Sequence, residues 1–142
     1  MSDLRDDENI SPDTVFYVRV SKEQLTEKNS PEGPRPSSHV FDDSTDENGV
    51  SGASIIFKHL LEDAGGKIAD AVVNPDRFGL VELTVRDVRE FGQGVVFDPK
   101  PNTDQHHRLC GPAHGLICGP KQKSKKRNIA KRARWIVLPP LT

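Results

Sequence analysis

The sequence predicts a small α+β domain: a mixed β-sheet with two or three packed helices and a C-terminal strand–helix–strand unit. Three observations carry this. Short strand-like runs recur at 14–20, where β-branched and aromatic residues dominate, and at 80–83, 94–97, 115–118 and 135–138. Between them, 54–64, 84–91 and 121–134 read as helices. With 142 residues the chain has the length of one domain, and 34% hydrophobic against 29% charged residues leaves only a small core.

Residues 1–13 are acidic and short of apolar side chains, so they are expected to fray as a disordered N-terminus, leaving 14–142 as the domain. Thr14–Val20 is the first strand, with Phe16, Val18 and Val20 on its core face. Residues 21–50 read as one long Pro-rich loop, because Pro31, Pro34 and Pro36 break any ladder and Asp42, Asp43, Asp46 and Glu47 make it acidic. Val40 and Phe41 alone have apolar area with which to anchor it. Ser54–Ala64 reads as a helix with Ile56, Leu60 and Ala64 in one stripe, ended by Gly65-Gly66. Thr84 and Asp87 have capping-box spacing ahead of the stripe Val85, Val88, Phe91, and Gly92 is a natural stop. Gly94–Phe97 and Gly115–Cys118 follow as strands, the second between Pro112 and Pro120. Lys121–Arg134 is a basic helix and Trp135–Leu138 the last strand, a succession that favours a right-handed parallel crossover.

The charge is lopsided. Residues 121–142 hold eight Lys and Arg and no acid, so with a total of −1 the first 120 residues carry −9. Such a basic end either neutralises the acidic body or meets an anionic partner, nucleic acid or an acidic protein. Local physics disfavours the helix, since like charges at i,i+4 cost about 0.2–0.5 kcal/mol per pair and Lys121 and Lys123 sit at its positive end. Lys121 and Lys123 with free N–H groups at the helix start would suit a phosphate. Arg127, Lys131 and Arg134, at i, i+4, i+7, would track a nucleic-acid backbone without reading sequence.

Other classes are disfavoured. Gly119-Pro-Lys-Gln-Lys-Ser lacks the spacing of a phosphate loop, which argues against nucleotide hydrolysis. Two cysteines are too few for a disulfide framework. No apolar run follows the initiating Met or nears the ~20 residues that span a bilayer, so a cytoplasmic protein without a signal peptide or membrane segment is expected. His107, Cys110, His114 and Cys118 are zinc-type ligands, but His114 and Cys118 on one strand would stand about 13 Å apart at ~3.3 Å per residue, too far for one ion. Neither metal nor cofactor is expected, and Cys118 reads as a buried small hydrophobe. His114, between two Gly-Pro turns, is a candidate general acid/base or phosphate ligand. Arg19, Arg35, Ser38 and His114 stand on or beside predicted strands and outside the apolar faces, so they are expected to converge on one cleft.

Phe-Tyr-x-Arg-Val at 16–20, Arg-Pro-Ser-Ser-x-x-Phe-x-Asp at 35–43, Gly-Val-Ser at 49–51, Gly-x-Val-x-Asp-Pro at 94–99, His-Gly-Leu-Ile-x-Gly at 114–119 and Ala-x-Trp-Ile-Val-x-Pro at 133–139 form a pattern. It resembles a set of small uncharacterised bacterial proteins. The resemblance implies a single domain and supplies no mechanism; a defence or toxin–antitoxin setting would suit it. A fainter likeness, to ADP-ribosyltransferase-type folds, rests on Arg19, Ser37 or Ser38, and Glu82 in that order, and implies a small enzyme with a phosphate-ligand cleft formed by Arg19, Ser38 and His114.

Overall fold

The computed structural model describes residues 4–45, 49, 51–100 and 110–140. In chain order its elements are β1 (Val15–Ser21), β2 (Leu25–Thr26), β3 (Arg35–Pro36), β4 (Ser44–Thr45), β5 (Ser51–Phe57), α1 (Lys58–Asp63), α2 (Ile68–Val72), β6 (Phe78–Thr84), α3 (Val85–Arg89), β7 (Gly94–Phe97), β8 (His114–Cys118), α4 (Lys123–Arg132) and β9 (Arg134–Val137). Short 3-10 turns cover Lys22–Gln24, Ser38–Phe41 and Gly111–Ala113. The α+β class holds.

The main sheet runs β7-β8-β5-β1-β6-β9, with β4 paired to the start of β5, and every pairing is antiparallel. The expected mixed sheet with a parallel crossover is thereby corrected. β8 and β9 do run the same way, but β5, β1 and β6 lie between them. The connection therefore spans four inter-strand steps, about 19 Å at ~4.8 Å each.

Alternation along β1 organises the core. Phe16, Val18 and Val20 face one side, as expected, and join Ile55, Phe57, Val81, Leu83 and Ile117 from neighbouring strands. Val85 and Val88 of α3, Ile129 and Ala130 of α4, and Val40 and Phe41 cover that side. Tyr17 is also buried, because the opposite face carries a second core with Ile56, Leu80, Leu61, Ala71 and Val72.

Residues 54–57 extend a strand where the sequence suggested the start of a helix. Ser51–Phe57 pairs with β8 on one side and β1 on the other, and Ile55 and Ile56 bury on opposite faces. These ladder bonds override the weak helical stripe, and α1 begins only at Lys58. The cap of α3 is as expected: the Thr84 N–H donates to Asp87 Oδ2 at 2.8 Å, and Gly92 follows at φ +77°.

The 21–50 segment contains β2 paired with β3, and its 38–41 turn is pinned by Phe41, which is fully buried. Asp46 to Asn48 and Val50 lie outside the described residues. The N-terminal arm, expected to fray, instead lies along the β7 edge. The Asp7 N–H donates to Val95 O, and Val95 N–H to Asp6 Oδ1, both at 2.9 Å. Ile10 is 3% exposed. One apolar anchor and an ion pair between Asp6 and Arg89 hold a stretch that composition alone marks as loose. Gly94 permits the approach, because a Cβ there would collide with the Arg5 carbonyl oxygen.

Candidate functional site

Tyr17 stands opposite Ile56, and Ile56 opposite His114, so three strands set these side chains in one row on one face. Arg19 and Ser54, two residues along from Tyr17 and Ile56, share that face. β1 pairs with β6 over seven residue pairs but with β5 over only two, Phe16 with Phe57 and Tyr17 with Ile56. Beyond them β1 and β5 part. A cavity of about 460 Å³ opens there, bordered by Arg19, Ser54, Cys110, His114 and the 39–44 segment. Val18 and Ile55 also border it, although their side chains belong to the opposite core, so they present main chain to it.

Arg19 Nε donates to the Ala71 carbonyl at 2.6 Å, tying β1 to α2. Cys110 Sγ donates to the Asp70 carbonyl at 3.3 Å. Burial pushes the Cys110 thiol up, outweighing the nearby Arg19 guanidinium, so the sulfur stays protonated at neutral pH. Burial, with the carboxylates of Glu62 and Glu82, likewise raises the Tyr17 phenol.

His114 is held at both ring nitrogens. Nδ1 is 2.8 Å from the Asp98 main-chain carbonyl and 3.3 Å from its Oδ2, and Nε2 is 3.2 Å from Ser54 Oγ. A carbonyl only accepts, so Nδ1 carries the proton of the neutral ring and Nε2 turns its lone pair to Ser54. Lys100 Nζ lies 3.0 Å from the same Asp98 Oδ2.

Of the four residues expected to converge, Arg19 and His114 border this cavity. Ser38 and Arg35 do not border it. Ser38 is buried in the 38–41 turn, and Arg35 donates to the carbonyls of Ala130 and Ala133 at the end of α4. Glu82 pairs with Arg134 and is also absent from the cavity wall. Ser54 and Asp98, both beside His114, escape sequence reasoning, because the run from Ser54 reads as the start of a helix and Asp-Pro reads as a turn. A strand reading of the β-branched run after Ser51-Gly-Ala would have set Ser54 on the face of the histidine strand. His106 and His107 lie outside the described residues. Among the described residues no three His, Cys, Asp or Glu side chains gather to hold a metal ion.

The basic end divides in two. Lys121 pairs with Asp43, Lys126 with Asp42, Arg132 with Asp87 and Glu90, and Arg134 with Glu82. Lys121 is thereby withdrawn from the helix start, and Arg134 sits on β9 rather than on the helix. Lys123, Arg127 and Lys131 are exposed, have no ionic partner among the described residues, and fall at i, i+4, i+8 on α4. Among the described residues no helix is long and apolar enough to cross a membrane. The chain matches no family model, no curated protein and no solved structure.

Proposed function

We propose that the protein binds an anionic partner, nucleic acid first, through the outward face of α4. One observation supports this reading. After four of the eight cations have met acids of the body, Lys123, Arg127 and Lys131 still stand exposed in a row. At 1.5 Å per residue the row is about 12 Å long, and a duplex presents one negative charge per ~1.7 Å, so the row would meet several phosphates. Trp135 is a poor stacking platform, since its ring packs against the core and its indole N–H donates to the Pro34 carbonyl at 3.0 Å. Binding is therefore expected to be strong at low salt and weakly selective for sequence.

Affinity for a random-sequence duplex, measured by fluorescence anisotropy across a salt series, should fall with a log–log slope near −2.7 for three contacts at roughly −0.9 each. The triple change K123Q, R127Q, K131Q should flatten that slope with folding intact, because Ile129 and Ala130 remain. No binding by the unaltered protein at low salt refutes the reading; binding only to an acidic protein would make that the partner.

The shared placement of Arg19 and His114 favours a second reading, a small enzyme whose cavity takes a phosphate-bearing ligand. Titration with inorganic phosphate should shift the His114 imidazole resonances, and Arg19→Ala should abolish the shift. Unmoved resonances in the unaltered protein would dismiss it.

A further inference from the structure

We infer that Ser54, His114 and Asp98 form an acyl-transfer site, with Ser54 as nucleophile, His114 as general base and Asp98 as positioning residue, acting on a small carboxylic ester. Ser54 is exposed to the cavity while its strand neighbours Ala53 and Ile55 are buried. Its hydroxyl meets the one imidazole nitrogen that can accept a proton, because the Asp98 carbonyl holds the proton on the other. The nucleophile–base and base–orienter hydrogen bonds that define such a unit are therefore both present. The cavity has the volume of a small-molecule site. Arg19, held by Ala71, provides a fixed cation in it and selects esters that carry an anionic group.

In the first step Ser54 Oγ attacks the ester carbonyl carbon and its proton passes to His114 Nε2. The bond from that carbon to the alkoxy oxygen then breaks, and His114 returns the proton to the leaving alcohol. Water attacks the acyl-Ser54 carbonyl, again losing its proton to His114; the acid leaves and Ser54 regains its hydrogen. Ester and water become acid and alcohol, with no oxidant or metal required. The inference rests on the second reading only in that solutes must enter the cavity, and a protein that ignores phosphate can still acylate Ser54.

A fluorophosphonate reagent tests this on the intact chain. The serine oxygen should displace fluoride, and peptide mass spectrometry should place the adduct on Ser54, with none in Ser54→Ala. His114→Gln should slow labelling at least ~100-fold, the scale of a lost general base. Asp98→Asn keeps the carbonyl bond, so it should slow labelling less than His114→Gln and move the midpoint of its pH profile downward. A purely structural Asp98 would leave that midpoint in place. Should His114→Gln fail to fold, Ser54→Cys decides. Its thiol should alkylate with iodoacetamide at pH 7 faster than a free cysteine, through proton transfer to His114. Absence of an adduct on Ser54 in folded protein, labelling indifferent to His114, or a Ser54→Cys thiol no faster than free cysteine each overturns the inference.

Discussion

Arg35 donates to the carbonyls of Ala130 and Ala133 at 2.9 and 3.0 Å where α4 ends, and the Ala130 carbonyl also accepts the Ala133 N–H. Its guanidinium also complements the negative end of α4. Removing it takes this donor from both carbonyls and leaves Ala130 only the Ala133 N–H, so Arg35→Ala should cost about 1–3 kcal/mol in urea unfolding, and Arg35→Lys should recover only part because an ammonium lacks the fork. A loss below ~0.5 kcal/mol would mean that water replaces it fully. Residue type was legible here and role was not. Arg35 and Arg19 are both cations beside strands, and only the fold sends one to a helix end and the other to the cavity. Ser54 was hidden for a related reason, since a hydroxyl gains chemical meaning only from the imidazole 60 residues away that it meets.

The 38–42 turn and α4 hold each other through Phe41 and Ile129 in the core and through Asp42 and Lys126 at the rim. Burial works to raise the Asp42 carboxyl, but hydrogen bonds from Lys126 and His39 win and bring it below its ordinary 3.8. A carboxyl lowered by folding stabilises above its unfolded value and loses that contribution as pH falls through its folded value. The unaltered protein should therefore melt higher than Asp42→Asn, by a constant margin between about pH 5 and 8 that closes below about pH 4. Circular dichroism melts at several pH values check this; a margin that persists at about pH 2 would assign the effect to shape rather than charge. β-branched and aromatic residues exposed β1 in the sequence, a short run at 80–83 marked part of β6, and capping chemistry exposed α3. What failed was the border between β5 and α1, where a helical stripe and a β-branched run overlap and only cross-strand partners decide.

Across the described residues, the acidic body and basic end meet in pairs, so much of the sequence's charge asymmetry is neutralised internally, while Lys123, Arg127 and Lys131 on α4 stay exposed without an ionic partner. The class was legible because it needs only periodicity and length. Strand order was not, because it depends on which faces meet: the crossover rule fitted the direction of β8 and β9 but not the three strands lodged between them. That order bears on how the chain is made. β1 closes on β6, from residues 15–21 to 78–84, while β5 closes on β8, from 51–57 to 114–118. The two ladders are interleaved in sequence, so most of the chain must leave the ribosome before the second can close. Folding should then be slow and late, on the millisecond-to-second scale of non-local β topologies. Meanwhile the edge of β5 that pairs with β8 waits for its partner, and a nascent chain arrested near residue 100 would expose it to aggregation or to a chaperone.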